Sequence, residues 1–159
     1  MNMSIFHNTP LMLAVFAIFF AQLIKIPIYG IVEKKFQPSF FLSTGGMPSS
    51  HSAAVSALTT AIGFEAGMDS PLFAVSAVFA IIVMFDATGI RFQAGQHALI
   101  INELRRDFQH LIREAKDWPE KDSQEKVKEL KTLLGHKKSE MVFGAITGIL
   151  ISIIYYNFF

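Results

Sequence analysis

Residues 141–159 read MVFGAITGILISIIYYNFF and contain no Asp, Glu, Lys or Arg. A bilayer core about 30 Å thick needs about 20 mostly apolar residues in a helix. This run therefore predicts a helix that spans a membrane. Residues 10–32 form a second run of this kind, interrupted only by Lys25. Two such runs favour a membrane protein over a soluble one.

Two shorter uncharged runs lie between them. Residues 48–64 are rich in Ala, Ser and Thr, which let helix backbones approach closely in a bundle. Residues 70–90 begin with Ser70-Pro71, a cap residue followed by proline at the first helical position, and stay uncharged until Asp86. Such short runs also fit buried helices of a soluble protein, but the two flanking spans favour a membrane. We predict one all-α domain, 1–159: an integral membrane bundle of about four transmembrane helices.

The charges are concentrated in one part of the chain. Of the 27 Lys, Arg, Asp and Glu residues, 20 lie within residues 91–140, and the net charge is +1. An almost neutral, apolar chain is not expected to bind nucleic acid. The absence of cysteine excludes a disulfide framework and a thiolate metal site.

Residues 99–134 form a charged insert with helical periodicity. Leu104, Phe108 and Leu111 recur at helical spacing, and a similar pattern follows Trp118-Pro119. The insert is predicted to form two amphipathic helices separated by a turn. They could lie on an anionic inner leaflet or form a cytoplasmic hairpin that covers the bundle, and the sequence does not distinguish the two.

Four crossings place residues 33–47 and 91–140 on one side of the membrane. Every basic residue except Lys25 lies on that side. The positive-inside rule therefore predicts a multi-pass protein of the cell membrane with the insert in the cytoplasm and both termini outside.

Several ionisable residues lie within or at the rim of the predicted spans, where they are costly. Most fall at the cytoplasmic rim, and Lys25 lies in the half of the first span nearest that rim. These candidates are Lys25, His51, Asp86, Arg91, His97, His136 and Glu140.

The segment GGMPSSHS, residues 45–52, is a glycine pair followed by a predicted helix start. Unpaired N–H groups at such a start favour an anion, and serine hydroxyls add donors. Gly46, Ser49 and Ser50 are therefore candidate phosphate ligands. The alternative is that the serines only cap the helix.

His136 and Glu140 are four residues apart, so the carboxylate can orient the imidazole. Arg91 offers a fork for phosphate oxygens. Alone, the pair could be structural and the arginine a topology anchor. Together with His51 and Lys25 from other spans, they suit phosphoryl transfer to a histidine nucleophile. No metal site is predicted, because no carboxylates cluster to hold magnesium.

Three motifs resemble those of a known superfamily. PSSH at residues 48–51 resembles the Pro-Ser-Gly-His motif of type 2 phosphatidic acid phosphatases and vanadium haloperoxidases. GHKKSEMVFG at residues 135–144 resembles the last motif of that superfamily. With DATGIR at residues 86–91 and Ala94-Gly95 beyond it, the chain is similar to the divergent bacterial and plant branch over nearly its full length.

The resemblance implies that His136 is the nucleophile, that Glu140 orients it and that His51 is the general acid. It implies an acid-phosphatase-type hydrolase of phosphoric monoesters or diphosphates that needs no cofactor and accepts vanadate as a phosphate mimic. The expected partner is a membrane lipid phosphate, and a homo-oligomer is left open. The expected phosphate ligands are Arg91, Lys25, Ser49, Ser50 and Gly46, with Asp86 and His97 as supporting candidates.

The chain also departs from the superfamily pattern. Val32-Glu33 occupies the place of an Arg-Pro pair, Ser50 replaces glycine and Glu140 replaces aspartate. Arg91 precedes His136 by 44 intervening residues instead of lying six residues before it. A non-catalytic scaffold that binds lipid phosphate is therefore the alternative function, ahead of a haloperoxidase or a transporter.

Overall fold

The computed structural model describes residues 5–33, 45–114 and 135–159. The regular structure in these ranges is entirely helical, and together with the apolar spans this confirms the predicted membrane helical bundle. A 3-10 helix, Ile5–His7, precedes five α-helices: α1 (Thr9–Glu33), α2 (Ser50–Ala66), α3 (Pro71–Thr88), α4 (Ile90–Glu114) and α5 (Lys138–Phe158).

Helix α2 is the inner helix of the bundle and packs against α1, α3 and α5. Its contact with α1 is made by fully buried alanines: Ala17 and Ala21 on α1 against Ala53 and Ala57 on α2. Side chains this small let the two backbones approach closely, which is how helices gain packing energy inside a membrane. Lys25 lies one turn beyond Ala21, so the same face carries it towards the start of α2.

The contact between α2 and α5 is closer still. A Cβ atom added to Gly144 would collide with the backbone oxygen of Ser49, and one added to Gly148 would collide with that of Ala53. One turn further, the Ser152 hydroxyl donates to the Ala57 carbonyl at 2.9 Å. Both series advance by four residues in the same direction. The two helices are therefore parallel and in register.

Three helical segments are long and apolar enough to cross a membrane: Thr9–Ile31, Pro71–Leu111 and Lys138–Phe158. Helix α2, with 17 residues, is not among them. Because α2 runs parallel to α5 and in register with it, it traverses the same layer as α5. The parallel packing thus accounts for four crossings with only three strongly apolar segments.

The large apolar side chains of α3 and α5 point away from the bundle. Phe79, Ile82, Phe143 and Ile146 are each about half exposed, while small residues fill the interior. A soluble monomer rarely exposes apolar surface on this scale. This distribution fits a protein whose outer surface contacts lipid.

The sequence predicts the start of α3 but not the start of α4. Helix α3 begins as the sequence predicts, with Pro71 first and the Ser70 hydroxyl accepting from the Phe73 N–H at 3.1 Å. Helix α4 begins at Ile90, nine residues before the predicted start of the insert at residue 99. Between Arg91 and Glu103 the helix carries no Asp, Glu, Lys or Arg, so the run of charges marks only its second half. The second predicted helix of the insert lies outside the described residues.

Candidate active site

The candidate residues meet at one end of the bundle. Helices α2 and α5 both start there, α3 ends there, and Lys25 reaches it from α1. The charges of His136, Arg91, Lys25 and Asp86 all lie close enough to His51 to act on it. Residues from α1, α3, α4 and the segment that precedes α5 thus act on one histidine of α2.

His136 immediately precedes the cap of α5 and is 2% exposed. Its Nδ1 lies 3.1 Å from Oε2 of Glu140, one turn into the helix. The same oxygen accepts from the Lys137 N–H at 3.2 Å. Glutamate at the third helical position commonly reaches back to the capping residue in this way. The carboxylate therefore orients both the helix start and the imidazole.

With Nδ1 facing a carboxylate, the neutral ring carries its proton on Nδ1 and its lone pair on Nε2. The His136 Nε2 atom is buried and has no hydrogen-bond partner in the part of the chain that the structure describes. Buried polar atoms are usually paired, so an unpaired basic nitrogen is a feature of a reactive site. This geometry suits a nucleophile.

The His51 ring lies in the first turn of α2, with its centroid 5.7 Å from that of His136 and its plane at 62° to it. Its Nδ1 atom is also buried without a hydrogen-bond partner among the described residues. The two imidazoles are therefore neighbours, and each has one buried nitrogen without a partner among the described residues. Such a pair can transfer a proton and a phosphoryl group across a few ångströms.

Lys25 is fully buried, although it lies inside the first apolar segment. The opposite charge of Glu140 acts on it. A lysine without exposed surface is retained in a membrane helix only where polar groups surround it. Its position one turn beyond the alanine contact brings its charge to the two histidines.

Arg91 begins the first turn of α4, directly after the break between α3 and α4. Its Nε donates to Oδ2 of Asp86 at 2.6 Å, and the two side chains are 55% and 38% exposed. The other guanidinium N–H donors are carried by the two Nη nitrogens. Asp86 therefore holds the arginine at the rim of the site by one edge.

Gly135 joins the two halves of the site. It has a φ of +81°, and a Cβ atom there would collide with the backbone N of Phe92. The next residue, His136, donates its N–H to the Ala87 carbonyl at 2.9 Å. His136 is thus docked on the α3–α4 junction beside Arg91, although 44 residues separate them in the sequence.

The glycine loop before α2 lies against Glu140. The Gly46 N–H lies close to the Glu140 side chain. The Ser49 N–H donates to the backbone carbonyl of Glu140, which is neutral, at 2.9 Å. The loop therefore fixes the position of Glu140, and a phosphate contact by Gly46 stays a prediction.

Ser49 caps α2: its hydroxyl accepts from the Ser52 N–H at 3.3 Å and lies 3.2 Å from the Ser52 hydroxyl. Ser49 and Ser50 are both buried. The capping alternative therefore describes Ser49, and a phosphate contact by either serine stays a prediction. His97 is exposed on α4, six residues beyond Arg91 and hence on a different face of the helix.

Two residues at this end were missed by the sequence reasoning. Tyr29 packs its ring against Gly46, which has a φ of +91° and no room for a side chain. The Gln22 Oε1 atom is buried without a partner among the described residues. Both are polar groups one turn from Lys25 on α1. A polar side chain at that spacing in an otherwise apolar run is the signal that could have found them.

Within residues 5–33, 45–114 and 135–159, no group of three or more His, Cys, Asp or Glu side chains is placed to hold a metal ion. The charged groups at this end are instead two cations, two histidines and two carboxylates. An anion with several oxygens is the ligand that such a set can surround.

The comparisons with known proteins agree with the motifs. The family model described as "Divergent PAP2 family" matches residues 6–151. A protein of Bacillus subtilis (strain 168), named "Uncharacterized membrane protein YuiD", is 54% identical over 157 residues, which cover 99% of both chains. No solved structure matches. The matched region contains every candidate residue described above, and the resemblance inferred from the motifs is confirmed: this chain belongs to the divergent PAP2 family.

Proposed function

We propose that this protein is a metal-independent phosphatase that hydrolyses a lipid phosphate through a phosphohistidine intermediate. The observation that carries the proposal is the His136 imidazole, which is buried, held by Glu140 through Nδ1, and without a partner at Nε2 among the residues that the structure describes. A structural histidine–carboxylate pair would have no need of an unsatisfied second nitrogen.

In the first step, the Nε2 lone pair of His136 attacks phosphorus, and the bond from phosphorus to the lipid oxygen breaks. The leaving oxygen takes a proton from a ring N–H of His51. In the second step, neutral His51 removes a proton from water, whose oxygen attacks the phosphohistidine. Inorganic phosphate leaves, and both histidines return to their starting states.

Glu140 supports the positive charge that His136 acquires when it is phosphorylated. Lys25 and the Nη nitrogens of Arg91 are the cations available to the phosphate oxygens. Asp86 orients Arg91 by binding Nε, and in this proposal the two Nη nitrogens are left to bind the phosphate. This assignment gives each charged side chain at this end one role.

A lipid is the proposed substrate because the site lies at the end of a bundle whose outer surface is apolar. A headgroup in the bilayer can reach it laterally, with its acyl chains beside the helices. The second candidate, a scaffold that binds lipid phosphate without turnover, is favoured by one observation: Arg91 is already engaged by Asp86.

The test measures phosphate release from phosphatidic acid, phosphatidylglycerol phosphate and polyprenyl phosphates by the purified protein in mixed micelles. His136→Asn should abolish release and leave thermal stability close to that of the parent chain. His7→Asn, an exposed histidine at the other end of α1, is the matched control and should be fully active. Activity that survives in His136→Asn contradicts the mechanism; tight binding of vanadate without any turnover supports the scaffold.

The role of His51 can be separated from that of His136 by the leaving group. General acid catalysis typically contributes about 10²–10⁴-fold. His51→Asn should lose activity in that range on phosphatidic acid. It should form phosphoenzyme at nearly the parent rate from p-nitrophenyl phosphate, whose leaving group needs no proton. An equal loss on both substrates would exclude His51 as the acid.

We also propose that the site faces the cytoplasm, with both termini outside. The supporting observation is that 13 of the 14 basic residues lie on the side of the site in the four-span topology. Because the chain has no cysteine, single cysteines at Ser43, Asp69 and Asn157 can be tested with an impermeant thiol reagent in intact cells. Labelling at Asp69 and Asn157 alone supports this orientation, and labelling at Ser43 alone reverses it.

A further inference from the structure

We infer that α4 is an interfacial helix whose exposed apolar side chains are buried in the cytoplasmic leaflet of the bilayer. The inference concerns Ile101, Leu104, Phe108 and Leu111, which we call the α4 stripe. It does not depend on whether the protein is a phosphatase.

The α4 stripe lies along one side of the helix. Its members are spaced by three, four and three residues, and each is at least 50% exposed. Such spacing places them on one face of an α-helix. An apolar face of this length is not expected to remain in contact with water.

A different face of α4 contacts the protein. Gly95, Ala98 and Asn102 are buried, with Ala98 and Asn102 only 6% and 7% exposed. These residues are also spaced by three and four, and the centre of their face is about a third of a turn from the centre of the α4 stripe. A helix that covered the bundle with its apolar face would bury Leu104 and Phe108. In this protein the small face is buried and the large apolar face points outward.

The outward face begins at the surface that contacts lipid. On α3, the exposed apolar residues extend to Phe85, which is 79% exposed, and exposure resumes at Ile90, the first residue of α4, at 76%. The helical segment Pro71–Leu111 contains a stretch apolar enough to cross a membrane, and the α4 stripe lies at the end of that same segment. This continuity from a membrane helix favours lipid over a second copy of the chain as the cover.

The charges of α4 fit the same position. The helix contains four arginines, at positions 91, 105, 106 and 113, against three acidic residues, at 103, 107 and 114. A net positive helix with one apolar face is the pattern of helices that lie in the plane of an anionic leaflet. Arg91 and its partner Asp86 would then lie at the level of the lipid headgroups.

The test places a tryptophan on each face of α4 in a Trp118→Phe background, which removes the single natural tryptophan. Phe108→Trp reports on the α4 stripe, and Glu103→Trp is the matched control on the charged face. Each variant is reconstituted in vesicles containing phosphatidylglycerol, with lipids brominated either near the headgroup or near the chain end. Circular dichroism and a melting curve establish that both variants are folded.

The expected result is that the fluorescence emission of Phe108→Trp is blue-shifted. Lipids brominated near the headgroup should quench most of that fluorescence. Lipids brominated near the chain end should quench it less, and Glu103→Trp should be quenched by neither. If Phe108→Trp escapes quenching by both lipids, protein covers the α4 stripe and the inference is wrong. Equal quenching of both variants would mean that α4 is immersed in the bilayer, which also overturns it.

Discussion

The two ends of the α2–α5 pair differ although the same two helices form both. At the end where the helices start, His51 and His136 each have a buried nitrogen with no hydrogen-bond partner in the described ranges. At the end where they finish, the Tyr156 hydroxyl donates to Glu65 at 2.7 Å, and its ring stacks on Phe64 with centroids 4.9 Å apart. We call this second end the clasp. There the tyrosine hydroxyl and the glutamate carboxylate are paired with each other.

Each end contains one glutamate, and the two have different tasks. Glu65 accepts from a tyrosine that ties α5 to α2. Glu140 accepts from the first turn of α5 and holds the ring of His136. The groups that stabilise the contact between α2 and α5 therefore lie at one end of the pair, and the groups proposed to react lie at the other. The clasp ties α5 to α2, and within the described residues the buried polar atoms without a partner on this helix pair lie at the other end.

The largest effect is expected from breaking the packing on which both ends depend. Gly148→Val would place three extra carbons against the α2 backbone, where a Cβ atom alone already collides with Ala53. Overpacking of this kind costs about 3 kcal/mol. SDS titration in mixed micelles, followed by circular dichroism, should show the loss. Ile149→Val, one residue away and 40% exposed, is the control and should unfold like the parent chain.

The next effect separates the two glutamates. Glu140→Gln removes the charge that supports the His136 ring, and we expect phosphatase activity to fall by about 100-fold or more. Glu65→Gln keeps an acceptor for Tyr156 and should leave activity within about twofold of the parent value. Initial rates on phosphatidic acid measure both. Equal losses in the two variants would mean that Glu140 acts only through stability.

A smaller effect is expected midway between the ends. Ser152→Ala removes the buried hydrogen bond to the Ala57 carbonyl. Hydrogen bonds between membrane helices contribute about 0.6 kcal/mol on average, so we expect a destabilisation of about that size with unchanged activity. The midpoint of the SDS titration measures it. A loss above about 2 kcal/mol would show that the hydroxyl also orders the neighbouring helix contact.

The smallest effect is expected at the clasp. Tyr156→Phe removes one exposed hydrogen bond but keeps the ring stacked on Phe64. The expected cost is at most about 1 kcal/mol, with full activity, by the same SDS titration and rate assay. If this variant instead lowered activity and left the unfolding midpoint unchanged, the two ends would be coupled, and the separation of stability from reactivity would be incorrect.

Much of this arrangement could be predicted from local patterns in the sequence. The uncharged runs, the Ser70-Pro71 helix start and the four-residue spacing of His136 and Glu140 are local signals, and each corresponds to an element of the structure. The predicted insert begins at residue 99, whereas α4 begins at Ile90, because residues 92–102 contain no Asp, Glu, Lys or Arg that would mark them as part of the insert. Tyr29 and Gln22 were missed because only ionisable residues were sought in the spans, although both lie one helical turn from Lys25.

The sequence by itself determined the membrane bundle, the family and the identity of the ionisable residues at one rim. These follow from hydrophobicity, charge and spacing within single helices, which are properties of the chain read locally. Only the tertiary structure decided which of those groups are bound and which are left unpaired. The amides of Gly46 and Ser49 hold Glu140, and Gly135 docks beside Arg91 across 44 residues of sequence. The reason is physical: a hydrogen-bond partner or a close backbone approach depends on how separate helices pack, and no local pattern encodes that contact.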